Sequence, residues 1–336
     1  MTRFAVKCIA IFALAVASTA DLQAQTTPFA KVLPSTVWIE YPVGTKTRFG
    51  TGSLVNREQR LVVTCLHVME NQKQGTVYFP MYRGAELMTN AIDYLSSTYG
   101  ITGKVVAADS DRDLAILQLN KVPPTVPALE MADRAPPAGT PLFVLGNSTV
   151  GIKTIDQEKL WKQYSTKVNK LVFSMQTLEN EGNKQVHTWA IVLQDKVNPG
   201  DSGGPAVNAD GRLVGVTYAE DKDFGYAIDV EEVRIVLNRY LNRNSPRPQN
   251  PMTGKWTVQI QPREKPVGYF RMNFFDNGQV DWITDKTYTG KFELKDNQLA
   301  LTIPGLNVNE TLTITRTSDN QFSFTSAGVP FTFTRR

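Results

Sequence analysis

The sequence predicts an all-β protein built in two β-rich parts, and three observations carry that reading. From Thr36 to Ala227, short apolar runs such as TVWIEY, RLVVT, KVVAA, LAILQL, PLFVL, WAIVLQ, RLVGVTY and FGYAI alternate with clusters of Gly, Pro, Asn and Asp. Residues 252–336 alternate apolar and polar positions in GKWTVQI, GYFRMNF, QVDWI, GKFEL, QLALTI, TLTITR, QFSFT and PFTFT, with turns DNG, KDN and SDN between several of them. No series of helical patterns intervenes between the strands, which argues for barrels or sandwiches over a helix-covered parallel sheet. A length of 336 residues, 41% hydrophobic and 20% charged, suits two ordinary domains with sizeable cores.

At the N-terminus, Arg3 and Lys7 precede the apolar run Cys8 to Ala17, and Ser18-Thr19-Ala20 offers small residues for a signal peptidase. The reading is a secretory signal over residues 1–20, cleaved after Ala20 or Ala24, which leaves no stable membrane span. Cleavage removes Cys8 and leaves Cys65 alone, so no internal disulfide forms. A periplasmic or secreted protein is expected. The formal net charge of +4 comes with no dense basic run, which argues against a nucleic-acid partner. Two histidines and two cysteines cannot build a finger-type zinc site once Cys8 is gone, and no metal or other cofactor is expected. Any catalytic histidine is His67 or His187.

The segment DVEEVRIVLNRYLN (229–242) departs from the strand pattern, placing Val230, Val233, Ile235, Val236, Leu237, Tyr240 and Leu241 near a helical period with Asp229 as N-cap. A helix therefore closes the first part, residues 26–243. RNSPRPQNP, with three prolines and no apolar period, supplies a linker at 244–251. The second part, 252–336, reads as about eight strands in a small barrel or sandwich. Its early Gly-Lys-Trp and aromatic-rich hairpins resemble small lipocalin-type barrels, and a structural domain packed on the first part is the alternative. IKTIDQEKLWKQYSTKVNK (152–170) is a polar interruption, read as a mobile loop over a cleft or a solvated insertion, with Trp161 and Tyr164 packing locally.

The most specific motif is Asn198-Pro199-Gly200-Asp201-Ser202-Gly203-Gly204-Pro205. Glycines beside a serine let the backbone turn so that Oγ is presented while the N–H groups of Gly200 and Ser202 converge on one point. A serine hydroxyl is a poor nucleophile until a neutral imidazole takes its proton and a carboxylate fixes that imidazole's tautomer. His67, ending the buried-looking run RLVVTCLHV, is the better base; His187, amid polar alternation, reads as exposed. Asp113 directly precedes the apolar strand LAILQL and is the candidate carboxylate, with Asp109 and Asp111 as solvated neighbours. Cys65 reads as a small buried strand residue.

In the order His67, Asp113, Ser202, with TCLHV, DLAILQL and NPGDSGGP, the chain resembles the trypsin-like serine proteases, and within them the exported bacterial HtrA/Deg-like branch. GTGSLV before the histidine strand, LGN at 145–147, LVGV after the serine and GYAID before the helix extend the likeness over roughly residues 30–243. The resemblance implies a double six-stranded β-barrel with the site in the cleft between barrels. It implies peptide-bond hydrolysis through an acyl-enzyme, with polypeptide substrates. Ser202 would attack, His67 shuttle the proton, Asp113 orient His67, and Gly200 and Ser202 bind the oxyanion. By the same carry-over the specificity pocket would be lined by Lys196, Val197 and Asn198, by Thr217, Tyr218 and Ala219, and by Gly225. Lys196 at its base would favour acidic side chains, unless its ammonium reaches water instead.

Two departures stand out. The second part does not resemble the PDZ domains usual in the HtrA/Deg branch. Asp201 follows the digestive-enzyme form, where it pairs with a freed N-terminus, whereas the HtrA/Deg form commonly has asparagine; no IVGG-like activation site is present. A latent or pseudo-protease scaffold, whose C-terminal part binds a ligand or partner, is the alternative function.

Overall fold

A computed structural model describes residues 27–43, 46–69, 72–148, 154–178, 183–244, 250–262, 264–284 and 286–336. The expected signal over 1–20 lies outside the described residues, as do 245–249 of the expected linker. The first barrel comprises β1 (Thr36–Val43), β2 (Lys46–Asn56), β3 (Leu61–Cys65), β4 (Gln74–Tyr78), β5 (Ile101–Asp109) and β6 (Leu114–Leu119). The second comprises β7 (Pro141–Gly146), β8 (Lys162–Leu178), β9 (Lys184–Leu193), β10 (Pro205–Val207), β11 (Leu213–Glu220) and β12 (Gly225–Asp229). Both close, the first in the order β1-β2-β3-β6-β5-β4 and the second as β7-β8-β9-β12-β11-β10. The two barrels thus repeat one antiparallel strand plan, as the double-barrel expectation required.

Closure follows from burial on the inner face. Ile39, Leu54, Val62 and Leu117 in the first barrel, and Val216 and Ile228 in the second, are fully buried in one continuous cluster. Each such side chain contributes roughly 1.5–3 kcal/mol by leaving water. The predicted helix spans Val230–Leu241, with the Asp229 carboxylate accepting from the Glu231 N–H at 3.3 Å. Its buried face, Val230, Val233, Val236 and Leu237, packs on β5 and β6 of one barrel and β11 of the other, strapping the two together.

From Lys162 onward the polar interruption is not a loop. After a 3-10 turn at Ile155–Gln157, residues 162–178 form the 17-residue strand β8. Thr166 and Val168 point inward while Ser165 and Lys167 are exposed, so the polar residues are the outer face of a half-buried strand. Trp161 is 4% exposed and packs edge-on to Tyr94 at 5.8 Å.

The C-terminal part has nine strands, one more than expected: β13 (Gly254–Ile260), β14 (Gly268–Phe274), β15 (Gln279–Ile283), β16 (Thr287–Lys295), β17 (Gln298–Ile303), β18 (Val308–Thr313), β19 (Thr315–Ser318), β20 (Gln321–Ser326) and β21 (Val329–Arg335). The run TLTITR divides at Ile314 between β18 and β19. These two are the opposite edges of the sheet order β18-β17-β16-β15-β14-β13-β21-β20-β19. One residue can join opposite edges only if the sheet curls nearly into a barrel. Its interior is filled by Trp256, Phe274, Phe322 and Phe333, the last two stacked at 4.2 Å.

Candidate active site

The fully buried strand β3 delivers His67 on the short helix Leu66–Met69, and the turn before β6 delivers Asp113. The Leu66 N–H donates to the Asp113 carbonyl at 2.8 Å, so the two segments are pinned before any side chain acts. The His67 backbone N–H donates to Asp113 Oδ1 at 2.9 Å, and ring Nδ1 lies 2.5 Å from Oδ2. Asp113 is fully buried and sits at φ +55°, a left-handed conformation that aspartate tolerates better than most residues. Burial alone would raise its carboxyl; the His67 ring and then Lys184, whose Nζ is 2.7 Å from Oδ1, bring it below its ordinary value.

The neighbouring candidates do not converge here. Asp109 accepts from Arg112 at 2.9 Å, and exposed His187 meets Asp111 only through its backbone N–H at 2.7 Å.

Ser202 lies on a turn that glycine alone permits. Gly200 and Gly203 adopt φ of +95° and +85°, and a Cβ at either would fall 2.2 Å from the Asn147 carbonyl or 2.0 Å from that of Thr51. The turn docks on β2 and β3 beside the His67 helix: the Thr51 N–H donates to the Ser202 carbonyl at 3.0 Å, and Thr64 Oγ1 donates to the Thr51 carbonyl at 2.7 Å. Thr51 Oγ1 donates to the Gly200 carbonyl at 2.8 Å, and Thr217 Oγ1 to that of Asp201 at 2.6 Å. With these carbonyls held, the N–H groups of Gly200 and Ser202 donate to no acceptor among the described residues. Ser202 Oγ likewise makes no hydrogen bond there, to His67 or otherwise; catalytic hydrogen bonds often tighten only when substrate binds.

Asp201 is fully buried without a cation hydrogen-bonded to it. Its Oδ2 accepts from the Asn198 N–H at 3.0 Å, the Asn198 amide at 3.3 Å and Tyr164 OH at 3.4 Å, while Oδ1 has no partner. Burial raises its carboxyl above the ordinary value against those bonds. Asn198 and Tyr164 are thus the hydrogen-bond partners of this carboxylate among the described residues.

Of the carried-over pocket residues, Val197, Thr217, Tyr218 and Gly225 are buried, Asn198 and Ala219 are half-buried, and Lys196 is exposed. Thr217 holds the serine turn, and the Tyr218 hydroxyl donates to Ser174 Oγ at 3.0 Å. Cys65 Sγ, a His67 ring nitrogen and an Asp113 oxygen lie within 4.8 Å of one another. The spacing would admit a metal ion, but both Asp113 oxygens are engaged by donors, and burial followed by the Asp113 charge pushes the Cys65 thiol well up.

Sequence reasoning missed Thr51, Tyr164 and Lys184. Thr51 lay inside GTGSLV, whose glycines drew the attention, and nothing in GNKQ marks Lys184.

Residues 50–216 match the profile of the trypsin-like peptidase domain. The serine protease PepD of Mycobacterium tuberculosis is 27% identical over 233 residues, 63% of this chain and 45% of its own. The Do-like serine protease HtrA of Bacillus subtilis is 26% identical over 209 residues, 59% of this chain and 40% of its own. This chain therefore spans less than half the length of either relative. Among solved structures, the active form of the Rv3671c protease from M. tuberculosis is 22% identical with a TM-score of 0.49, covering 70% of this chain and 94% of that one. Residues 50–216, spanning most of the two barrels, thus form a trypsin-like peptidase domain.

Proposed function

We propose that the protein is an exported serine endopeptidase that cleaves polypeptides through an acyl-enzyme. The observation that carries this reading is the buried Asp113 carboxylate on His67 Nδ1, set beside a glycine turn whose Gly200 and Ser202 amides are unengaged. Ser202 Oγ attacks the scissile carbonyl carbon as His67 Nε2 takes its proton. The oxyanion receives the N–H groups of Gly200 and Ser202, and collapse expels the amine, which takes its proton from His67. Water repeats the cycle to release the acid. Asp113 holds the ring with Nε2 free and stabilises the imidazolium.

In this reading residues 1–20 are a cleaved leader, 26–243 the protease domain and 252–336 an accessory β-barrel domain. Among the described residues, no helix is long and apolar enough to cross a membrane.

Labelling the chain from about Asp21 onward with a fluorophosphonate, mapped by mass spectrometry, tests the proposal. A single adduct on Ser202, absent from Ser202→Ala and His67→Ala, is expected, with peptide cleavage falling at least ~10³-fold in both. No adduct in the parent chain overturns it and favours a latent scaffold.

A further inference from the structure

We propose that Lys184 is a positioning residue of the catalytic triad: reaching across from the second barrel, it clamps the Asp113 carboxylate and so fixes the His67 ring. The inference deepens the protease reading and rests on it.

The geometry is specific. Lys184 is the first residue of β9, and His187 on the same strand ties β9 to the 111–113 turn through its N–H bond to the Asp111 carbonyl at 2.7 Å. That anchoring aims the lysine side chain, about a quarter exposed, onto a carboxylate with no exposure at all. Asp113 Oδ1 then accepts two donors, Lys184 Nζ at 2.7 Å and the His67 N–H at 2.9 Å, leaving Oδ2 to His67 Nδ1. The carboxylate cannot rotate without breaking one of them. The ring that Oδ2 holds is therefore fixed from both barrels.

The other groups facing this cluster do not duplicate that clamp. Cys65 on β3 donates its thiol to the Thr217 carbonyl at 3.2 Å, and Tyr218 on β11 donates to Ser174. In the same turn, Arg112 is turned away onto Asp109 and Glu232, and Asp111 engages β9 only by its carbonyl. His187 on β9 is exposed.

Two measurements on Lys184→Met, Lys184→Gln and Lys184→Arg test this: steady-state kinetics on a peptide substrate, and the His67 ring signals by NMR in a His187→Gln background. Lys184→Met should lower kcat about fivefold or more while KM changes less than about twofold, and should broaden or split the ring signals as the ring loses its single position. Lys184→Arg, which keeps a charged donor, should restore both. Lys184→Gln, which keeps a weaker donor, should fall between them and serves if Lys184→Met does not fold. If the folded neutral variants keep kcat within about 1.5-fold of the parent with one sharp set of ring signals, or Arg behaves like Met, the proposal is overturned. If the parent cleaves nothing, the protease reading fails, while the ring signals still decide whether Lys184 positions His67.

Discussion

Thr51 carries three roles within one residue: its N–H holds the Ser202 carbonyl, its hydroxyl holds the Gly200 carbonyl, and that hydroxyl accepts from Asn147 N–H and Nδ2 at 3.2 and 3.1 Å. Thr51→Val preserves shape but leaves the Gly200 carbonyl without its donor, freeing the peptide to rotate. We expect kcat to fall about tenfold or more with KM little changed, and Thr51→Ser to recover most of the loss, read in steady-state kinetics. Asp201 poses a different question, because its buried carboxyl is raised above the ordinary value of 3.8. A raised acid favours the folded state only while protonated, so stability falls as pH climbs from the unfolded value through the folded one. Asp201→Asn removes that dependence, and its thermal midpoint should change less than the parent's as pH rises above 4. A larger loss of stability in Asp201→Asn at pH 7 would show that the charge itself holds the turn.

Between the residue and the barrel lies the segment 154–161, which links the serine turn to the 80–95 region. The Trp161 N–H donates to Asn147 Oδ1 at 2.9 Å and its indole to Tyr94 OH at 2.9 Å. Glu158 in this segment is 2% exposed with Oε1 unpartnered, and burial raises its carboxyl to about 7. Its charged form therefore opposes the packed segment, and the stability it costs is lost between pH 4.5 and about 7. Glu158→Gln should make local hydrogen-exchange protection of 158–161 independent of pH across that window, whereas the parent loses protection as pH rises. None of this was legible from the polarity of 152–170, because a strand with one wet face alternates charged and apolar side chains in a way that short windows read as loop. The helix at 230–241 was legible almost to the residue, since its cap and its apolar period are local.

At the scale of the whole molecule, the C-terminal barrel is joined to the protease barrels by buried charge. Arg271 on β14 bonds Asp229 at 2.5 Å and lies 4.4 Å from the centroid of Trp189 on β9. Arg112, from the first barrel, donates to Glu232 at 2.7 Å, and Arg336 bonds the same carboxylate. Burial would raise Glu232, but Arg336 and then Arg112 hold it at about 2. Its depressed value contributes stability present above about 4.5 and lost as pH falls toward 2, on the order of 3 kcal/mol. Acid unfolding should accordingly be steep in that window and shallower in Glu232→Gln. Arg271→Met strands Asp229 as a buried unpaired charge and should cost about 3–5 kcal/mol in chemical denaturation, with Asp229→Asn added to it recovering a large part. The same surface braces β8 and β9, since Phe173 packs on Tyr269 at 4.7 Å and the Trp189 indole donates to Thr257 at 3.1 Å.

The sequence by itself determined the all-β class, the closing helix, a β-rich C-terminal part of about eight strands, and His67, Asp113 and Ser202 as the candidate site. Those features rest on local periodicity, turn residues and short motifs, which one stretch of chain expresses alone. The tertiary structure decided that Asp113 and not Asp109 meets His67, that Asn198 and Tyr164 cover Asp201, and that Thr51 sets the serine turn. It also decided that Lys184 reaches the triad and that arginines of the C-terminal part lock onto the helix. Apart from the local Asn198–Asp201 bond, each of these is a contact between residues 37 to 149 positions apart. Such contacts form only when barrel closure brings distant strands together, because burial, and not local pattern, selects which polar groups must find one another.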